Sequence, residues 1–184
     1  LEDKHGTVEV TVFPRIYARV GHRLAGAGPF LVTGRVRDDH GALTGILNGI
    51  DTEVWNPAAD PLLPAPFTAK ALAGKARAKR AALEAFGLPV TDETLARPLV
   101  GLVSRLVDQK GFDLVAQVAE SLLALGPGFV VLGSGDRRYE QLWRHLAAIR
   151  PHQVGVHIGF DEAKAHLVEG GADLFLMPSR FEPC

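Results

Sequence analysis

From Leu99 onward the chain alternates short apolar runs with stretches whose apolar residues recur every three or four positions, joined by short Gly-bearing connections. That alternation constrains the fold more than any other feature. Leu99–Val103, LVGLV, carries no polar side chain, the mark of a strand covered on both faces as in a parallel sheet. After the polar run Ser104, Arg105, Asp108, Gln109, Lys110 and Gly111, the residues Phe112, Val115, Val118, Ala119, Leu122 and Leu123 follow helical spacing. The pattern repeats. It predicts strands over Phe129–Leu132, Val154–Ile158 and Asp173–Met177, helices over Tyr139–Ile149 and Asp161–Glu169, and loops at Gly133–Asp136 and Gly159–Phe160. Alternating β and α elements with short connections imply parallel strands and right-handed crossovers, so the fold class expected is α/β.

The beginning of the chain reads differently. Thr7–Pro14 alternates apolar Val8, Val10 and Val12 with Glu9 and Thr11, the period of a half-buried strand after a turn at Lys4, His5 and Gly6. Ile16–Leu24 is predicted as a short helix, and Pro29–Arg37 as a strand with Gly34 at a bulge. The resulting division is a β-rich segment, 1–42, a loop with a leading helix, 43–97, and the parallel sheet, 98–184. In the middle part Leu43–Leu47 forms a strand, Asn48–Gly49 a turn, and a Pro-rich irregular stretch runs through Pro57, Pro61, Pro64 and Pro66. The Ala-rich helix over Lys70–Phe86 carries Lys75, Arg77, Lys79 and Arg80, read as a solvated basic face because no aromatics interleave.

Bulk properties exclude several classes of function. A formal net charge of -1 gives no global field toward nucleic acid or membrane, so any anion site must be local. The one cysteine, Cys184, leaves no intramolecular disulfide or cysteine-based zinc cluster, in keeping with a reducing, cytoplasmic setting. No apolar run approaches the roughly 20 residues of a membrane helix. His145, His152, His157 and His166 lack metal-ligand spacing, so no metal is expected. Starting at Leu1 without a methionine and stopping at Cys184 just after a strand and a turn, the chain reads as cut at both ends.

In a parallel sheet the loops after successive strands share one rim. Here they gather Arg105 with Lys110, Ser134-Gly135-Asp136, Gly159-Phe160, and Ser179-Arg180-Phe181-Glu182. Two cations match a diphosphate, a helix start offers free N–H groups to an anion, and Gly133 and Gly135 let backbone approach a ligand closely. A carboxylate such as Glu182 accepts hydrogen bonds from sugar hydroxyls, so the set suits a nucleotide sugar. Each member alone also has a plainer reading. Arg105 fits an ion pair with Asp108 or Asp136, Lys110 a solvated loop lysine, LGSGD a tight turn, and Glu182 a helix-start carboxylate.

In order and spacing, GILNGIDTEVWNP, VSRLVDQKGFDLV, LGSGD and LMPSRFEPC are similar to the motifs of bacterial glycogen synthases and plant starch synthases, over about 43–184. The resemblance implies a glycosyltransferase of two Rossmann-like domains. Such an enzyme transfers glucose from ADP-glucose to an α-1,4-glucan with retention of configuration, and needs no further cofactor. This chain would match the start of the nucleotide-binding domain, a partial Rossmann-like sheet. By the same resemblance Arg105 and Lys110 stabilise the diphosphate leaving group and Glu182 lies near the donor glucose. Asn48 and Asp51 face the cleft from the interdomain loop, and Ser134, Gly135 and Asp136 lie beside the nucleotide. The other domain has no counterpart here, so donor binding without glucan elongation is the expectation.

A second resemblance covers residues 1–37. LEDKHGTVEVTVFP and VTGRV are similar to part of the oligonucleotide/oligosaccharide-binding barrel of bacterial DNA polymerase alpha subunits. It implies an alternative function in single-strand binding, with Phe13, Arg15, Tyr17, Arg35 and Arg37 as stacking and phosphate contacts. A composite fragment without a function of its own is the remaining alternative.

Overall fold

The computed structural model describes residues 2–3, 6–7, 35–39, 42–47 and 51–181. The chain divides into two compact units, Leu1–Ile50 with Pro183–Cys184, and Asp51–Glu182. In the first, β1 (Glu2–Asp3) pairs antiparallel with β2 (Gly6–Thr7), placing Gly6 in a strand rather than in the expected turn. β3 (Arg35–Asp39) pairs antiparallel with β4 (Ala42–Leu47), with a register shift between Arg37 and Asp38. The expected helix over 16–24, most of the two N-terminal strands, and the site candidates Asn48 and Glu182 lie outside the described residues.

The second unit is built on a parallel sheet. β5 (Leu99–Val103), β6 (Gly128–Gly133), β7 (Val154–Ile158) and β8 (Leu174–Phe175) lie in the order β7-β6-β5-β8, every pairing parallel. Residue alternation assigns each strand's side chains to two cores. Val100, Leu102, Phe129 and Val131 pack with Phe112, Val115, Ala119 and Leu123 of α3 (Phe112–Ala124) and with Tyr139, Trp143 and Leu146 of α4 (Arg137–Ile149). On the opposite face Leu99, Val130 and Leu132 pack with Ala82 and Leu83 of α1 (Ala73–Ala85) and with Ala165 and Val168 of α5 (Glu162–Gly171). This sandwich explains why the strands read as uninterrupted apolar runs. The second face depends on Gly101, where a Cβ would stand 2.6 Å from Val168 Cγ1 and 2.9 Å from the Ala172 Cβ.

Two expectations need correction. The predicted strand Asp173–Met177 shrinks to Leu174–Phe175, because β8 pairs only with Val100 and Gly101 of β5. The basic face of α1 is not wholly solvated. Lys79 Nζ lies 2.7 Å from Asp173 Oδ2 and donates to the Arg97 carbonyl at 2.7 Å, and its side chain is only 10% exposed. Asp173 Oδ2 also accepts from the Leu99 amide at 2.8 Å. Lys75 donates to the carbonyls of Gly170 (3.0 Å) and Ala172 (2.7 Å) at the end of α5. There a cation satisfies carbonyls without an intrahelical partner and meets the negative end of the helix dipole. Spacing along α1 gives no sign of these partners, of which Arg97 lies 18 residues away and the others more than ninety.

The short helix α2 (Asp92–Ala96) falls within the segment expected as loop and leading helix. Thr91 caps it reciprocally with Thr94, and Asp92 and Glu93 occupy its first turn, an N-terminal signal present in the sequence. The Pro-rich stretch is irregular, as expected, but firmly seated. Asp60 Oδ2 lies 2.6 Å from Nδ1 of the buried His166, and Trp55 stacks on that imidazole at 4.0 Å.

Replacing Gly101 with Val is expected to destabilise the protein by about 2 kcal/mol through overpacking against α5. Replacing Lys79 with Met should cost about 2 kcal/mol, since Asp173 keeps the Leu99 amide and partial solvent access. Urea unfolding followed by far-UV circular dichroism measures both.

Candidate functional site

The strand order creates a switch point. From β5 the chain crosses to β6 and β7 on one side, whereas β8 joins the other edge of β5, and the flanking helices α3 and α5 lie on opposite faces. In open parallel sheets the crevice at the carboxyl ends of such neighbouring strands is where ligands bind. A cleft of about 300 Å³ lies there. Val103, Ser104, Arg105, Lys110 and Phe112 form one wall, and Leu176, Met177, Pro178 and Ser179 form the other. The structure therefore brings Arg105 and Lys110 together, as the sequence predicts for an anion site.

Local sequence explains how the first wall is shaped. β5 ends at Val103, and Asp108–Lys110 makes one 3₁₀ turn. Gly111, at φ 74°, then redirects the chain into α3. A side chain there would be strained in backbone conformation and would meet the Pro178 carbonyl oxygen at 2.0 Å. The positive end of α3 thus lies at the base of the wall, with Phe112 lining the cleft. The Arg105 guanidinium donates to Gln109 Oε1 at 3.2 Å. Neither carboxylate proposed as its alternative partner holds it. Asp108 instead receives bonds from Arg138 and the Tyr139 hydroxyl, and Asp136 lies 3.6 Å from Arg138.

Ser134, Gly135 and Asp136 follow β6, are held by Leu106 of the β5–α3 connection and do not line the cleft. Leu106 bridges Gly135, its amide donates to the Ser134 carbonyl at 2.9 Å, and its carbonyl accepts from the Asp136 amide at 2.8 Å. Both glycines, Gly133 and Gly135, are also required by the chain's own packing. A Cβ on Gly133 would meet the Ser104 carbonyl oxygen at 1.8 Å, and one on Gly135 the Leu106 carbonyl oxygen at 2.4 Å. The chain's own backbone fills the space. The Gly135 amide donates to Glu140 Oε1 at 3.1 Å. Asp51 is exposed, and its Oδ1 accepts from the amides of Glu53 and Val54, both at 3.1 Å, making a local turn outside this cleft.

Asp113, Arg138 and Tyr139, which no sequence motif singles out, join Asp108 and the rim residue Arg180 in completing the site. Asp108 is tied to the start of α4 through Arg138 and Tyr139, and Asp113 of α3 accepts from Arg180. The Arg180 amide donates to the Gln109 carbonyl at 2.9 Å. These partners lie thirty or more residues apart, so no local spacing marks them. Among the described residues no three His, Cys, Asp or Glu side chains gather as a metal site does. No helix among them is long and apolar enough to cross a membrane.

The network fixes protonation states. The Tyr139 hydrogen bond, then Arg138, holds the Asp108 carboxyl below its ordinary value of 3.8, and Arg180 does the same for Asp113. Burial, then the bond to Asp108, pushes the Tyr139 phenol up to about 12. A depressed carboxyl contributes stability that is fully present above its unfolded value and lost as pH falls through the folded one. The Asp108 and Asp113 ties should therefore hold at neutral pH and fail below the ordinary carboxyl value of 3.8. The raised phenol works in the opposite sense, its contribution present below pH 10 and lost as pH rises through about 12. Spectrophotometric titration of the wild type against Tyr139→Phe is expected to show one tyrosine ionising near 12, absent from the variant.

No family model matches the chain. Over 154 residues, 84% of this chain, it is 54% identical to the glycogen synthase of Anaeromyxobacter dehalogenans (strain 2CP-C), covering 31% of that protein. It is 51% identical over 151 residues to the glycogen synthase of Alkalilimnicola ehrlichii, covering 82% of this chain and 31% of the relative. Among solved structures, the catalytic domain of Starch Synthase IV from Arabidopsis thaliana bound to ADP and acarbose matches with a TM-score of 0.65 and 41% identity, over 76% of this chain and 29% of that one. The polymerase-barrel resemblance of residues 1–37 finds no support in these comparisons. The sheet is Rossmann-like, and the chain is homologous to glycogen and starch synthases over most of its length, spanning about three tenths of theirs.

Proposed function

We propose that this chain carries the donor-binding part of a retaining glucosyltransferase that passes glucose from ADP-glucose to an α-1,4-glucan. One observation carries the reading: Arg105 and Lys110 line the same cleft at the switch point and at the start of α3, in a chain 54% identical to a glycogen synthase. The solved neighbour, Starch Synthase IV, is bound to ADP and acarbose, a nucleotide and a saccharide of the classes proposed. Cleaving the bond between glucose and the diphosphate develops negative charge on ADP and positive charge on the sugar. Arg105 and Lys110, with the positive end of α3, stabilise the departing diphosphate. Arg105 is preorganised by its bond to Gln109. Glu182 serves beside the donor glucose, Asn48 and Asp51 face the cleft of the complete enzyme, and Ser134, Gly135 and Asp136 sit beside the nucleotide. The donor supplies the transferred group, so the reading calls for no metal or further cofactor. A cytoplasmic location belongs to it as well, supported by the single cysteine.

Calorimetric titration with ADP and with ADP-glucose tests the proposal. Binding is expected for both, and Arg105→Ala should weaken ADP by about 10- to 100-fold, the worth of one charge-assisted bond. Folded protein that releases no heat at millimolar ADP would overturn the reading.

A further inference from the structure

The second wall of the cleft has a mechanical weakness. β8 is two residues long, and after Leu176, whose amide donates to the Gly101 carbonyl at 2.9 Å, no further ladder bond among the described residues holds the chain to β5. Yet Met177, Pro178 and Ser179 must face Arg105 and Lys110 across the cleft. Contacts with the β5–α3 turn supply what the sheet does not. The Pro178 carbonyl sits on Gly111, so closely that a Cβ there would stand 2.0 Å away. The Arg180 amide donates to the Gln109 carbonyl at 2.9 Å, and the Arg180 guanidinium pairs with Asp113 in the first turn of α3. Gln109 is also the residue whose side chain accepts from Arg105.

We infer that Arg180 is a positioning residue, whose ion pair with Asp113 and backbone bond to Gln109 hold the second wall in register with Arg105 and Lys110. The inference rests on the proposed anion-binding role of that cleft and adds to it the group that sets its width. Arg180 acts through Gln109 and the 176–179 segment and does not itself meet the diphosphate. Its guanidinium is already engaged by a carboxylate, whereas Arg105 is bonded to a neutral amide.

The test exploits a difference in sign. Asp113→Asn removes a negative charge close to the cleft, so Coulomb's law alone predicts ADP affinity equal to or tighter than the wild type's. Positioning predicts the reverse. ADP and inorganic pyrophosphate affinities, measured calorimetrically on the full chain, are expected to fall roughly tenfold in Asp113→Asn and in Arg180→Gln. The double variant should be no weaker than either single one, because both remove the same tie. Arg180→Lys, which keeps charge but not the planar fork, should recover part of the loss. Thermal unfolding of each variant shows whether the fold is retained. Unchanged or tighter ADP binding by a folded Asp113→Asn, or additive losses in the double variant, would overturn the inference while leaving the proposed function standing. A wild type that fails to bind ADP would overturn both.

Discussion

Everything around the cleft depends on β5 being hydrogen-bonded along both edges and covered on both faces. Parallel pairing to β6 on one side and β8 on the other places it in the interior of the sheet. Two helices on each side then exclude water from the strand. Such a strand admits no polar side chain, and at Gly101 it admits no side chain at all, because α5 rests on the backbone. The same arrangement that forbids chemistry within the strand concentrates it at the strand's carboxyl end. There the neighbouring connections run to opposite faces and leave a crevice between them.

Polar groups act chiefly as fasteners between elements distant in sequence. Lys79 joins α1 to the residues just before β5 and β8, and Lys75 caps α5 from another helix. Asp60 and His166, both almost fully buried, pin the Pro-rich segment, with Trp55 stacked over the imidazole. Asp108 secures the turn that carries Lys110 to α4. Lys79 and Asp173 are matched to each other where they leave water, as the cost of burying a charge requires. In consequence the cleft is lined by loops that are themselves anchored to helices, and Arg105 within it is bonded to the neutral amide of Gln109.

Homology and geometry meet at the same place. The chain shares about half its residues with bacterial glycogen synthases over most of its length, and its sheet matches the catalytic domain of a starch synthase bound to ADP. Independently of those likenesses, the switch point, the helix start and the pair Arg105 and Lys110 define a cleft suited to an anion. The proposed ligand, a diphosphate leaving group on a sugar, draws support from both lines of argument.

The parallel sheet and its helices were legible because their residues face burial on both sides or on one stripe, and a one-dimensional pattern records that. LVGLV and FVVL read as covered strands and are so, and Phe112, Val115, Ala119 and Leu123 lie buried on α3 as their spacing predicts. Val118 is the exception, close to half exposed, because the covered stripe of α3 is narrower than its apolar content. The pairing of Arg105 with Lys110 in one cleft was legible too, since both follow the same strand. What the residues alone determined is therefore the fold class, the direction of the strands and the rim at which ligands gather. Only the tertiary structure decided that Gly133 and Gly135 make room for the chain's own carbonyls, that Lys79 is buried, and that Arg180 closes on Asp113. Those outcomes depend on which groups meet across long stretches of chain, and a hydrogen bond or a close approach of two backbones leaves no trace in periodicity or composition.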